Sequence, residues 1–517
     1  MVRHIVVSQQ YYLSFVCLDN IIVTHNKQFF TGTDLDLQEN QVQQYKELLR
    51  AKGGWLDDDA CVARLVYING RFTPQLSKQT SFAYNLKLVD VEESQNIQTA
   101  LSRLTDGFTD ELAAGVPSGD DSELMSFKAL SKPNHCVGEP TSQFAVNGQQ
   151  GTACFAALNT IKTGAVAYVQ YPKGTDHGVD APKPLMLIFA TTKDGGAADD
   201  VAQGVSCHPR ALIVAEDSCR LSVVHSMVDL EIDDIVRDIP KLYNGFTQFF
   251  VQGNANVTHS YLEETGGIVT GGTEVSDEDL ADGVTPPREI EANRAALKDT
   301  HLEVIDAQVI GEEGSFRSTL MTIGGSGRVR VALSVSLLRP DASAGVKGFS
   351  LTGGAQRTDV KTNIHHMGQR TLSRQIQKNM IGGRGTGSFR GRIRVEQSAQ
   401  QTDSQQISRT VLLSDRCRAW TVPSLEIIAD DVTCTHGATV SDLSDEELFY
   451  LRTRGLNQAT ARNLLMYAFA GDITESVDRA MLGTVDSRDG LQQRIIQRLE
   501  NLVPQGERKV KGEFQSS

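Results

Sequence analysis

The sequence predicts a mainly β protein: a right-handed parallel β-helix core with a small α/β N-terminal region and a C-terminal helical domain. Three observations carry this reading. Short β-branched or aromatic runs recur about every 10 to 14 residues from residue 184 onward, with no helical spacer between them. Small and polar residues fall at regular corners, as at 324–327 and 382–387. The runs also lack the tight Asn-Gly or Asp-Gly turns that an antiparallel meander would use. On these grounds alone a β-sandwich stays open as the alternative fold.

The bulk numbers agree with a globular chain. At 517 residues it can bury a large core and hold two or three domains. Apolar content is 40% and charged content 22%. Aromatics are few at 6% and glycine is abundant at 45 residues, a balance that suits short strands and tight turns. No apolar run reaches the roughly 18 residues of a membrane span. The net charge of −14 argues against nucleic acid as a partner. Eight cysteines, none in a C-x-x-C pair, do not form a disulfide framework and fit a reducing compartment.

Taken in order, the stretch 1–175 forms the N-terminal region. Its opening segment, 1–30, holds a single acid, Asp19, yet lacks the features of a transit or signal peptide. A helical patch lies at 41–52. The segment 63–77 (ARLVYINGRFTPQLS) alternates strand-like residues with a Gly/Pro turn, and 105–150 reads as loops. The core runs over 176–440. Its strands are read at 184–192, 210–216, 220–228, 246–252 and 256–264, then at 301–310, 315–323, 328–338, 348–353, 359–366, 388–396, 407–414, 424–430 and 431–438. An acidic stretch at about 263–292 interrupts them. From Glu263 to Glu291 it holds nine acids against one base, Arg288, and reads as a solvated insertion. A smaller insertion falls at 194–204. The helical domain spans 441–505. It opens with a capping box, Ser444 to Glu447. Asn457 caps a second helix, a third is read near 475–482 and a last amphipathic one at 492–502. The tail 506–517 reads as disordered.

The segment 423–455 is the richest in chemistry. Cys434 and His436 stand at i and i+2 on an extended run, so both project to one face. A thiol and a neutral imidazole are soft or borderline metal ligands. A lone His on a strand is more often a hydrogen-bonded structural residue, and a lone Cys a small buried hydrophobe. Asp430 and Asp431 precede them. As consecutive strand residues they diverge and cannot share a proton or an ion, and Glu426 is left open. Cys417 precedes Cys434 by a spacing that in a β-helix could place it a coil away. His208 beside Cys207, the pair His365 and His366, and His135 beside Cys136 are weak metal candidates. The glycine-rich run 382–387 lacks the Lys-Ser/Thr of a phosphate loop and reads as a corner. No catalytic motif is present, so the chain reads as a non-enzyme.

The run 423–455 (PSLEIIADDVTCTHGATVSDLSDEELFYLRTRG) closely resembles the C-terminal signature of the SufD family, a subunit of the SUF iron–sulfur assembly machinery. Leu65, Asn69, Gly70, Phe72, Pro74, Leu76 and Ser77 fit a second family segment. Further family-like pieces lie at 206–214, 246–264 and 389–415. The departures are the missing aromatic opening helix, Ala419-Trp420-Thr421-Val422 in place of a polar run, Ser441 where glycine is common, and the acidic insertion.

The resemblance implies a β-helix and a scaffold role in a complex with SufB and the ATPase SufC. It implies β-helix pairing with a SufB-like subunit and docking of a SufC-like ATPase on the C-terminal helices. Leu448, Phe449, Tyr450, Arg452, Arg454, Gly455, Leu465, Tyr467 and Phe469 are the partner-binding residues expected there. It further implies a transient iron–sulfur cluster, or iron, shared with SufB, with His436 the better ligand and Cys434 its neighbour. This chain itself would bind no nucleotide. A plastid stroma is the compartment favoured, with a bacterial cytoplasm as the alternative. The competing functional reading is a β-solenoid polysaccharide lyase or hydrolase, whose paired acids sit on one strand face.

Overall fold

The computed structural model describes residues 34–35, 37–51, 61–87, 159, 165–176, 183–192, 205–230, 239–266, 297–474, 477 and 491–502. Helix α1 (Glu39–Ala51) precedes strands β1 (Ala63–Ile68), β2 (Arg71–Phe72) and β3 (Ala83–Lys87). Then come β4 (Ala165–Tyr171), β5 (Leu185–Thr191), β6 (Val205–Cys207), β7 (Arg210–Ala215), β8 (Arg220–Asp229), β9 (Lys241–Val251) and β10 (Asn256–Glu264). A regular series follows: β11 (Thr300–Val309), β12 (Ser315–Thr322), β13 (Arg328–Leu337), β14 (Ser343–Thr352), β15 (Arg357–His366), β16 (Leu372–Ile381), β17 (Thr386–Val395), β18 (Asp403–Leu412), β19 (Arg418–Ile427) and β20 (Thr433–Ser441). Helices α2 (Asp445–Thr453), α3 (Gln458–Thr474) and α4 (Leu491–Leu502) close the chain.

The strands stack into two sheets, each built almost wholly of parallel pairs. The first runs β2-β1-β5-β8-β10-β12-β14-β16-β18-β20 and the second β19-β17-β15-β13-β11-β9-β7-β4-β3, with β6 paired to β9. From β7 onward, consecutive strands alternate between the sheets, which is the winding of a parallel β-helix. The sandwich alternative falls with it. Register shows the coil length. Ser343, Leu372, Asp403 and Thr433 are lateral partners, one from each successive coil, so a coil takes roughly 30 residues. Consecutive strands therefore start half a coil apart, wider than the spacing read from the sequence.

Alternation assigns each residue a side. Inward residues such as Val223, Phe249, Tyr261, Ile305, Phe316, Val335 and Ile393 fill the lumen. On the first sheet the outward residues are apolar too. Met186, Val224, Leu262 and Met321 are covered by Tyr45 and Leu49 of α1, Met466 and Ile473 of α3, and Leu491, Ile495 and Leu499 of α4. That two-sided cover explains why every residue of β1 is buried. At the corner after β16, Gly383 adopts φ +62° and stacks on Gly354 of the coil below, where an added Cβ would lie 2.9 Å from the Gly354 nitrogen. The run 382–387 is thus a turn that leads into β17.

The lumen changes character along its length. Between β8 and β12 it holds a knot of buried titratable groups. Tyr261 Oη lies 2.6 Å from His301 Nε2, and the His301 ring stacks on Tyr243 at 4.4 Å. Thr247 donates to Glu303 at 3.0 Å. Burial pushes the Glu303 carboxyl up to about 8 and pulls His259 and His301 down to about 3. His225 has no hydrogen bond at either ring nitrogen. Gly245 faces Glu303 because any Cβ there would sit 1.9 Å from its carboxylate. Further along, hydroxyls and amides line the lumen, and β16 contributes Ser373, Gln375, Gln377 and Asn379, all buried. β16 escapes the sequence reading because its inward face is polar.

The acidic stretch needs a correction. Glu263 and Glu264 do not lie in solvent: they end β10 and are 0% and 1% exposed. Glu263 accepts from Thr265 N at 2.9 Å and Gly324 N at 3.1 Å. Glu264 meets Arg494 of α4 at 2.9 Å and Arg498 at 3.6 Å. Buried charge is tolerated only with such partners. The rest of the stretch, 267–296, lies outside the described residues. So do the opening segment 1–33, the loops at 105–150 with His135 and Cys136, the insertion at 194–204, nearly all of the third helix read near 475–482, and the tail from 503.

Candidate functional site

The two ends of the solenoid differ. At the N-terminal end antiparallel β2 and β3 close the sheets, β2 through a turn at Asn69 and Gly70, whose φ values are 49° and 76°. This tight Asn-Gly turn lies outside the parallel coils. At the other end β19 and β20 are edge strands, and neither sheet continues beyond them among the described residues.

Backbone hydrogen bonds show which groups the open edges present. Thr433 N donates to Thr402 O at 2.9 Å, so the odd-numbered residues of β20 bond inward to β18. The amides and carbonyls of Cys434, His436, Ala438 and Val440 therefore face the open edge. On β19, Arg418 N donates to Gly385 O and Ile428 N to Val395 O, both at 2.9 Å. Its edge set is Ala419, Thr421, Pro423, Leu425 and Ile427, and Pro423 brings no N–H.

Side-chain parity places Cys434 and His436 at the mouth of the lumen. Their lateral partners on β18 are Ser404 and Gln406, both inward and fully buried. In the last coil His436 is exposed and Cys434 half-buried against the lumen core. Burial first, then the Asp403 carboxylate, pushes the Cys434 thiol above its usual range. Beneath them runs a hydrogen-bonded column. His366 Nδ1 meets Thr371 Oγ1 at 2.7 Å and its Nε2 meets Ser373 Oγ at 2.9 Å. Ser373 meets Ser404 at 2.7 Å, and Gln406 donates to Gln375 at 2.7 Å. The sequence reading missed Ser404 and Gln406; the coil period is the signal that points to them.

The other candidates separate. Asp430 and Asp431 are in the turn after β19, not on a strand: Asp430 accepts from Gln397 at 3.3 Å, and Asp431 N donates to Gln400 at 2.9 Å. Glu426 pairs with Arg392 at 2.5 Å. Cys417 sits half a coil from Cys434, not a full one, and its thiol donates to Ser414 O at 2.9 Å. His365 and His366 diverge: His365 meets Glu396 at 2.8 Å on the outside while His366 is buried inside. His208 lies 3.2 Å from Asn244, and burial pushes the Cys207 thiol up to about 12. Among the described residues no three His, Cys, Asp or Glu side chains group as metal ligands.

The C-terminal helices form a second surface. Ser444 accepts from Glu447 N at 3.3 Å, and Asn457 from Thr460 N at 2.8 Å, so both helix starts are capped as the sequence indicates. Glu446, Glu447, Tyr450, Leu451, Leu464, Leu465 and Ala468 line a groove of about 420 Å³ between α2 and α3. Phe449 and Tyr450 are 68% and 57% exposed. Arg452, Arg454 and Gly455 are exposed, with Arg454 donating to Tyr450 Oη at 3.0 Å. Leu465, Tyr467 and Phe469 are half-buried, and Lys378 holds the Phe469 carbonyl at 2.8 Å. Leu448, expected at the surface, is instead buried in the core under α2. Among the described residues no helix is long and apolar enough to cross a membrane.

A family model described as the SufBD core domain of SUF-system FeS cluster assembly matches residues 198–469. That is more than half of the chain, and the chain belongs to this family. It is SufD-like. It is 32% identical over 200 residues to the iron-sulfur cluster assembly protein SufD of Escherichia coli, covering 39% of this chain and 45% of that one. A SufBD family iron-sulfur cluster assembly protein of Synechocystis is 26% identical over 426 residues, or 82% of this chain and 76% of that protein. The chloroplastic protein ABCI7 of Arabidopsis thaliana is 26% identical over 374 residues, or 72% and 69%. Family membership takes the place of the polysaccharide alternative.

Proposed function

We propose that the chain is a non-catalytic scaffold subunit of a SUF complex. Its open terminal coil pairs with a SufB-like solenoid, and its C-terminal groove docks a SufC-like ATPase. The observation that carries this is the open end, where two edge strands have no further strand beside them among the described residues and leave a thiol and an imidazole at the lumen mouth. Exposed edges are ordinarily protected, and a homologous coil satisfies them by strand addition. Iron, or a nascent cluster, is the cargo. Cys434 and His436 supply two donors where a tetrahedral site wants four, so the remaining ligands come from the partner or from sulfide. A plastid stroma fits the chloroplastic relative, and a bacterial cytoplasm fits the bacterial one.

Co-expression of the tagged chain with matching SufB and SufC tests the reading. A stable complex with both supports it, and a chain that purifies alone refutes it. His436→Ala should leave that complex intact while lowering the yield of reconstituted cluster. An unchanged yield removes His436 from the mechanism.

A further inference from the structure

The outward face of the second sheet near the open end is basic on an otherwise acidic chain of net charge −14. Arg328 on β13 and Arg357 on β15 are lateral partners. Adjacent strands are about 4.8 Å apart, so two like charges stand side by side, a destabilising pairing. The same row continues through Thr386 to Arg418 on β19. Arg390 lies on the same face, in register with Lys361 on one side and Val422 on the other. Arg328, Arg357, Arg390 and Arg418 are all exposed, and none forms an ion pair among the described residues. Asp359 is the acid set among them, pairing with Arg330 at 2.9 Å and Lys361 at 3.8 Å. Burial brings the Lys361 ammonium down to about 8, with Asp359 opposing the shift and Arg330 and Arg390 adding smaller contributions to it.

Beyond Arg418 on β19, on the same face, stand Trp420 and Val422, each 52% exposed. Their neighbours on β17 are Ser388 and Arg390, so neither has an apolar partner across the ladder. Tryptophan and arginine are the residues that most often dominate protein interfaces. Guanidinium forks match carboxylates in pairs and stack on aromatic faces.

We infer that this face receives a carboxylate-rich segment of a partner protein, with an apolar anchor seated on Trp420 and Val422. The whole-chain charge repels a long polyanion such as nucleic acid, whereas a short acidic segment meets the arginines within the screening length. Arg418, Trp420 and Val422 lie on the edge strand β19, but the inference uses their outward side chains and not the backbone edge or the lumen.

The chain has two tryptophans, so Trp55→Phe leaves Trp420 as the sole tryptophan, read by excitation at the red edge where tyrosine does not absorb. The probe is a synthetic peptide alternating glutamate and serine around one leucine. The expected result is a saturable blue shift of Trp420 emission that weakens with salt. Arg357→Glu and Arg418→Glu should each reduce affinity by about tenfold or more. Arg328→Gln, a milder change, serves where a charge reversal disturbs the fold and should weaken binding in the same direction. No shift, an equal shift with an all-serine peptide, or unchanged affinity in the arginine variants would overturn the inference. A tighter response to a single-stranded oligonucleotide or to inorganic phosphate would overturn it in favour of a general anion surface. A shift that grows with protein concentration alone would overturn it in favour of a second copy of the chain.

Discussion

Replacing Glu303 by Gln should stabilise the protein, and by more as pH rises. Glu303 is fully buried in the lumen between Thr247 and Gly245, and burial raises its carboxyl from 4.5 to about 8. A group whose folded-state value is raised gives its full stability below the unfolded value and loses it as pH climbs towards the folded one. The unfolded chain therefore gains on the native state from pH 4.5 up to about 8. At 1.36 kcal/mol per pH step, the loss is about 1 kcal/mol at pH 5, about 3 at pH 7 and about 4 at pH 8. Glutamine keeps the volume and the acceptor for Thr247 and cannot ionise. Urea unfolding of parent and Glu303→Gln at pH 5, 6, 7 and 8, followed by circular dichroism, reads the difference directly. The gap between the two midpoints should open steadily with pH. A constant gap, or a variant weaker than the parent throughout, would mean that Glu303 is ionised inside the native lumen and would refute the reasoning.

Three further outcomes can be checked. His225→Phe should stabilise by about 1–3 kcal/mol, since both ring nitrogens are buried without a hydrogen bond. Burial holds His225 well below its ordinary value, so the parent loses stability as pH falls below 6.5 and the variant should lose less, which acid titration of the fold would show. Glu264→Gln removes the buried carboxylate that faces both Arg494 and Arg498 and should cost about 3–5 kcal/mol, with hydrogen exchange rising first in α4. Leu464→Asp, at a 45% exposed position in the C-terminal groove, should abolish retention of the SufC-like subunit on a column. The melting temperature and the SufB-like pairing should stay unchanged.

The strands are legible in the sequence wherever one face or both are apolar. β8, β10 and β12 show as β-branched runs because their inward and outward faces both meet hydrocarbon. β16 does not show, because its inward Ser373, Gln375, Gln377 and Asn379 find polar partners in the lumen, and hydrophobic periodicity is blind to a polar interior. Glu263 and Glu264 look like part of an acidic loop because the partner of Glu264 lies 230 residues away on α4. For the candidate site, the i and i+2 spacing of Cys434 and His436 is enough to put them on one face. What the spacing lacks is the coil period, and without it Cys417 appears a coil distant and Ser404 does not appear at all. The interior knot of His225, His259, His301 and Glu303 spans strands far apart in sequence, so no local pattern announces it.

Pro423 gives the open end a handedness of function. A solenoid whose two rims were equally sticky would invite any free sheet to continue it, and a cell full of such ends would grow fibres. Here one rim offers an unbroken row of donors and acceptors along β20, while the other is missing a donor at its centre. A newcomer can zip along β20 without a break but meets a gap at the middle of β19, where one donor is missing. On the proposed reading, the end of this chain would act as a keyed socket that favours a partner cut to match over indiscriminate extension.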